Sequence, residues 1–149
     1  QRIVYIDVVT TEETDMSYTF SAELFSDLHK DALGFRPRAH SFYDEATTDA
    51  ERQRMWDYLC QILEENMAAE REHEARAVRD FEAEVENVIA LGAGDRATAL
   101  RWITSSEDFY NAQCVEHWVW QRDILFTDMG RQLVNELMEI VTFKEREAA

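Results

Sequence analysis

Four residues, Thr48-Asp49-Ala50-Glu51, set the architecture that this chain can adopt. A Thr hydroxyl and a Glu carboxylate three positions apart satisfy each other's unpaired first-turn amides, so a helix begins here. Behind them Met55, Leu59, Ile62, Met67, Val78, Phe81, Val85 and Val88 recur at helical spacing as far as Leu91, and Gly92 and Gly94 supply a stop. At about 1.5 Å per residue, a helix of some 43 residues would span roughly 65 Å, more than a domain of this size is wide, so part of it must project or pair. The stripe loses its large side chains over Ala68 to Arg76, where a break or a solvent-exposed middle is expected.

Shorter helical patterns flank it. From Ser21, Leu24, Phe25, Leu28 and Ala32 mark an inward face that stops at Gly34, and the loop 34–43 follows. After Gly94, Asp95 caps a helix with Ala99, Leu100 and Ile103 inward and Trp102 beside them. Glu107 to Phe126 is the densest apolar stretch; helix is the first reading, with 115–121 also compatible with a strand. Thr127 and Asp128 open a last helix with Leu133, Val134, Leu137, Met138 and Val141 inward, before a polar tail from Lys144 that is expected to fray. The expected fold is all-α: a long central helix, a short N-terminal helix and loop, and aromatic-rich C-terminal helices, in a single helical domain over 16–149.

Residues 1–15 fit this scheme poorly. Gln1-Arg2-Ile3-Val4-Tyr5-Ile6-Asp7-Val8-Val9 reads as a short β-like stretch that needs a partner, while the rest of the chain reads as helix. Glu12-Glu13-Thr14-Asp15-Met16 is what a purine-rich ribosome-binding site followed by a start codon would give if translated, so 1–15 are expected to be a non-native or flexible segment and Met16 the natural first residue. Intact mass of the product of the native gene checks this: a species beginning at Met16 is expected, and one retaining 1–15 contradicts it.

Charge limits the partners. The chain has 149 residues with 15 basic against 31 acidic side chains, a formal net charge of −16. Without 1–15, which hold Arg2 and four acids, the charge is still −13. Direct nucleic-acid binding is not expected, because its affinity comes from Lys and Arg displacing condensed counterions. Attraction to proteins built to hold phosphates is expected instead, weakening as salt rises. No apolar run approaches the roughly 20 residues of a membrane span, so no membrane partner is expected. Cys60 and Cys114 lack paired spacing and fit the reduced thiols of a cytosol.

Two blocks carry a resemblance. Phe25-Ser26-Asp27-Leu28-His29-Lys30-Asp31-Ala32-Leu33-Gly34-Phe35-Arg36-Pro37-Arg38 and Gly92-Ala93-Gly94-Asp95-Arg96-Ala97-Thr98-Ala99-Leu100-Arg101-Trp102, with the Thr-Asp-Ala-Glu-Arg start of the long helix between them, resemble a family of small acidic proteins of tailed bacteriophages. The resemblance covers most of 16–103, and members of that family usually open with a Met shortly before the first block. It implies a phage protein acting in the cytoplasm of a bacterial host, and no known activity.

Sites for chemistry are scarce. His29, Lys30, Arg36, Arg38 and His40 form a basic island on an acidic chain, with Pro37 limiting the loop so that Arg36 and Arg38 stand as paired forks. They are either an anion or partner site or an internal brace to Asp27, Asp31 or the long helix. Glu70-Arg71-Glu72-His73 is one Glu-x-x-His element where a diiron bundle needs two, so no metal and no cofactor are expected. Cys114, Glu116 and His117 lie close in sequence, yet neighbouring helix positions point apart and no nucleophile activation is evident. Gly92-Ala93-Gly94 lacks the strand of a nucleotide loop. No enzyme is expected.

The remaining feature is acidic: Glu64, Glu65, Glu70, Glu72, Glu74, Asp80, Glu82, Glu84 and Glu86 along the long helix, interrupted by Arg71, Arg76 and Arg79. Such a helix could imitate a nucleic-acid backbone, and charge mimicry against restriction, CRISPR or repair enzymes is a recurring phage tactic. The expected function is a non-enzymatic binding protein that inhibits a host defence or DNA/RNA-handling enzyme through these acids, with Arg36 and Arg38 as brace or second contact. The alternative is a virion or assembly component that oligomerises through its long helix.

Overall fold

The computed structural model describes residues 17–147. The strand-like stretch and the start at Met16 lie outside them. Among the described residues the chain is all-α, and its compact parts are two, one up to Ala69 and one from Glu70. Each has its own apolar cluster.

The first unit is built on α1 (Phe25–Leu33), a 3-10 turn (Ser41–Tyr43) and the start of α2 (Asp49–Val88). Gly34 ends α1 in the left-handed region at φ 89°, donating its N–H to the Lys30 carbonyl at 2.8 Å. Phe25, Leu28 and Ala32 are buried as the spacing requires, whereas Leu24 is half exposed because it is the cap ahead of the first turn. The 3-10 turn delivers Phe42 to this core, where its ring stacks on Phe25 at 3.8 Å between centroids. Arg52 of α2 holds the turn by donating to the carbonyls of Phe42 and Asp44, each at 2.8 Å. Trp56 and Leu59 complete the cluster. Trp56 sits one position beyond Met55, the expected stripe residue, which is only half-buried.

The capping box forms as read: Glu51 accepts the Thr48 N–H at 2.8 Å and Thr48 Oγ1 accepts the Glu51 N–H at 3.2 Å. From this start α2 runs unbroken for 40 residues. Of the two outcomes expected for its middle, exposure is the one found, since every residue from Glu64 to His73 is exposed. Ala, Glu and Arg have high helix propensity, which keeps an unpacked stretch helical, and Gln61 donates to Glu65 one turn on at 3.0 Å. A π-helical turn (Ile89–Ala93) closes the helix, with Gly92 at φ 135° and the Gly94 N–H bonded back to Ile89. Leu91 is exposed, off the stripe that was expected to reach it.

The second unit packs the end of α2 against α3 (Arg96–Ile103), α4 (Ala112–Trp120) and α5 (Asp128–Ile140). Phe81, Val85, Ala99, Leu100, Val115, Trp118, Val119, Ile124, Leu133 and Leu137 are its core. Asp95 caps α3 by accepting the Thr98 N–H at 2.7 Å, and that bond, ahead of the nearby Arg101, holds its carboxyl below the usual range. The 115–121 ambiguity resolves to helix. Asn111 accepts the Cys114 N–H at 3.0 Å and starts α4 later than expected, leaving 107–111 outside it. Val115, Trp118 and Val119 then share the buried side, while Trp102, Trp120 and Phe126 are exposed, as is Met138, which was expected to face inward. The tail is tied at its start: the Lys144 N–H donates to the Phe109 carbonyl at 2.8 Å and its ammonium pairs with Asp108.

Gly130 has a steric reason to be glycine. A Cβ there would stand 1.7 Å from the Ile124 carbonyl oxygen, with Leu125 backbone also in reach, so α5 approaches the preceding turn only without a side chain. Gly130→Ala is expected to cost about 2–4 kcal/mol because backbone must move. Gly34→Ala, left-handed but in open space, is expected to cost about 1 kcal/mol. Urea unfolding followed by circular dichroism checks the order of the two.

Candidate interaction surface

The basic island does not form one patch. His29 is buried and donates Nδ1–H to the Phe35 carbonyl at 2.7 Å, and His40 accepts the Phe42 N–H, so both imidazoles serve the first core. Arg36 contacts Asp27 at 2.5 Å and Ser26 Oγ at 3.1 Å. It is a brace on α1. Arg38 is exposed and makes no ion pair among the described residues, so the two arginines are not a paired fork.

The α2 acids are of two kinds. Glu82 and Glu84 are half-buried and turned to cations of the second unit: Arg96 Nη1 lies 3.3 Å from Glu82, and Arg122 Nη1 lies 2.7 Å from Glu84. Glu72 pairs with Arg79 at 3.2 Å, two turns along the helix. Glu64, Glu70, Glu74, Asp80 and Glu86 make no ion pair among the described residues. At ~100° per residue these positions wind around the helix. The carboxylates therefore surround the exposed part of α2.

Half of the Lys and Arg side chains among the described residues are committed within their own unit. Arg36 and Arg52 pair with Asp27 and Asp49 in the first; Arg79, Arg96, Arg122, Arg131 and Lys144 pair with carboxylates in the second. Arg96 also reaches Glu136 at 2.6 Å, and this hydrogen bond is the main reason its pKa is raised still further. Among the described residues the carboxylates without an ion pair outnumber the cations without one, so the field left at the surface is acidic.

The second unit carries two clefts. One, of about 320 Å³, is lined by His73, Arg76, Asp80, Phe81, Glu84, Arg122 and Asp123 among others. The Arg122 guanidinium lies 4.1 Å over the Trp118 ring and 5.4 Å from Phe81, so Glu84 and two aromatic faces hold it. His73 meets Asp123 at 3.1 Å. Asp123 is the one non-glycine residue with positive φ, 61°, among the described residues, in the turn that ends α4. The other cleft, of about 330 Å³, brings Cys114 and His117, three apart on α4, to the same wall with Glu107 and Asp108, while the His117 ring stacks on Trp120 at 5.5 Å. Among the described residues no group of three or more His, Cys, Asp or Glu is arranged to hold a metal ion, and His73 of the single Glu-x-x-His element contacts Asp123 at the surface. No helix is long and apolar enough to cross a membrane.

Arg96, Arg122, Asp123 and Glu136 were missed from sequence. A left-handed position after a helix is ordinarily Gly or Asn, and nothing local marks Asp123. If its carboxylate is retained only as the His73 partner, the exposed pair adds about 0–1 kcal/mol, discounted for solvent screening. Backbone relief in Asp123→Gly offsets that loss, so this variant is expected to be roughly 1 kcal/mol more stable than Asp123→Ala, which keeps the strain. Urea unfolding at pH 8 measures the difference; equal stabilities would show that backbone strain at Asp123 is negligible.

No protein-family model matches the chain, and no curated protein or solved structure matches it significantly, so its function is read from its own residues.

Proposed function

We propose that this chain is a non-enzymatic binding protein whose acidic surface occupies the nucleic-acid-binding surface of a basic partner protein. One observation carries the reading: Arg52, Arg79, Arg96 and Arg122 are turned to intramolecular pairs, while Glu64, Glu70, Glu74, Asp80 and Glu86 of α2 make none and outnumber the unpaired Arg54, Arg71 and Arg76 of the same helix. A partner that holds phosphates with Arg and Lys would meet carboxylates at close spacing, with fast, salt-sensitive association. The phage resemblance of 16–103 suggests where to look: a defence or DNA/RNA-handling enzyme in the cytoplasm of a bacterial host, which the protein would inhibit. Assembly through a coiled coil fits less well, because a seam needs a large apolar residue every three or four positions and 64–73 offer Met67 alone.

The test is capture of host proteins by the tagged chain at low and high salt, repeated with Glu64, Glu70, Glu74 and Glu86 changed to Gln. A partner displaced by duplex DNA or RNA, and bound about tenfold or more weakly at higher salt or by the Gln variant, is the expected outcome. Binding indifferent to salt, nucleic acid and the substitutions would refute the proposal. A chain that recovers only itself, at a multimeric mass by light scattering, would favour assembly.

A further inference from the structure

The first unit contains two imidazoles with opposite hydrogen-bonding roles. His29 Nδ1 stands 2.7 Å from the Phe35 carbonyl, which can only accept, so His29 donates there whether or not its other nitrogen carries a proton. His40 Nδ1 accepts the Phe42 N–H at 3.1 Å as the cap of the 3-10 turn. An accepting nitrogen has no proton. His40 is therefore neutral, with its hydrogen on Nε2.

Its surroundings oppose a second proton. The His40 ring is 5.0 Å from Phe25 and 5.7 Å from the buried His29 of α1. Asp44 follows the turn, and Arg52 of α2 grips the Phe42 and Asp44 carbonyls. Protonation would set an Nδ1–H against the Phe42 N–H, strip a part-buried donor of its acceptor, and place a cation near His29. Asp44 pulls the other way. Burial first, and the His29 imidazole second, outweigh it and hold His40 below its ordinary value of 6.5.

We propose that His40 is a pH-sensitive catch on the loop 34–44: neutral, it closes the turn that seats Phe42 in the core, and protonated, it lets the turn go. The same loop carries Arg36 and Arg38, so acidification loosens the segment that presents them. The direction follows from linkage. An opened chain takes its proton near 6.5, the closed turn only at lower pH, so the catch is at full strength above that value. It is lost as pH falls through the folded-state value.

Nitrogen and amide NMR on the full chain tests this. At pH 7.5 the imidazole nitrogen shifts of His40 should report a bare Nδ1, and the protection factor of the Phe42 amide should fall about tenfold or more by pH 5.5. His40→Asn, which caps without titrating, should stay within about twofold over the same range. An Nδ1–H tautomer at pH 7.5, constant protection in the unsubstituted chain, or equal loss in His40→Asn would overturn the proposal. His40→Asp is a second capping variant, and the tautomer measurement needs no variant.

Discussion

Arg96 joins three helices of the second unit, reaching Glu136 of α5 at 2.6 Å and Glu82 of α2 at 3.3 Å from the first turn of α3. A guanidinium suits this position because its donors form a rigid, permanently charged fork, which a lysine does not provide. With 31 acidic side chains to 15 basic ones, cation placement decides where the unbalanced charge appears. Arg96 and Arg122 face inward and neutralise Glu82, Glu136 and Glu84, so like-charge repulsion is relieved where helices meet. What is left over is carried by the open surface.

The long helix makes that division visible. Apolar side chains near its start belong to one core, with Trp56 and Leu59, and those near its end belong to another, with Phe81 and Val85. Burial of such side chains is worth roughly 1.5–3 kcal/mol each, enough to hold the helix at both places. Between them the residues 64–73 are exposed, with Asn66 donating to the Ala32 carbonyl at 2.9 Å, and they persist as helix on propensity and on continuity with the packed ends. Four of its ten side chains are carboxylates, and the proposed partner surface is built on them.

Features encoded by local chemistry were legible in the sequence. The Thr48–Glu51 capping box, the stop at Gly34, and the caps at Asp95 and Thr127 all stand where spacing placed them, because each depends on residues within one turn. Phases set by distant contacts were less so. Trp56 turns inward where Met55 was expected, since α1 and Phe42 decide which side of α2 is covered. The acid set was found but not sorted, because only the fold brings Arg96 and Arg122 beside Glu82 and Glu84. Arg36 as a brace was one of two readings open to the sequence, and its contact with Asp27 in the first turn of α1 decides between them.

The central claim is that uncompensated carboxylates of α2, and not the paired ones, form the contact surface for a cationic partner. Titrating the isotopically labelled chain with an arginine-rich peptide and following every backbone amide measures this directly. Shifts concentrated over 64–74 that vanish in high salt are the expected result. Shifts centred on Glu82, Glu84 and Arg96, or spread evenly over the surface, would contradict the account.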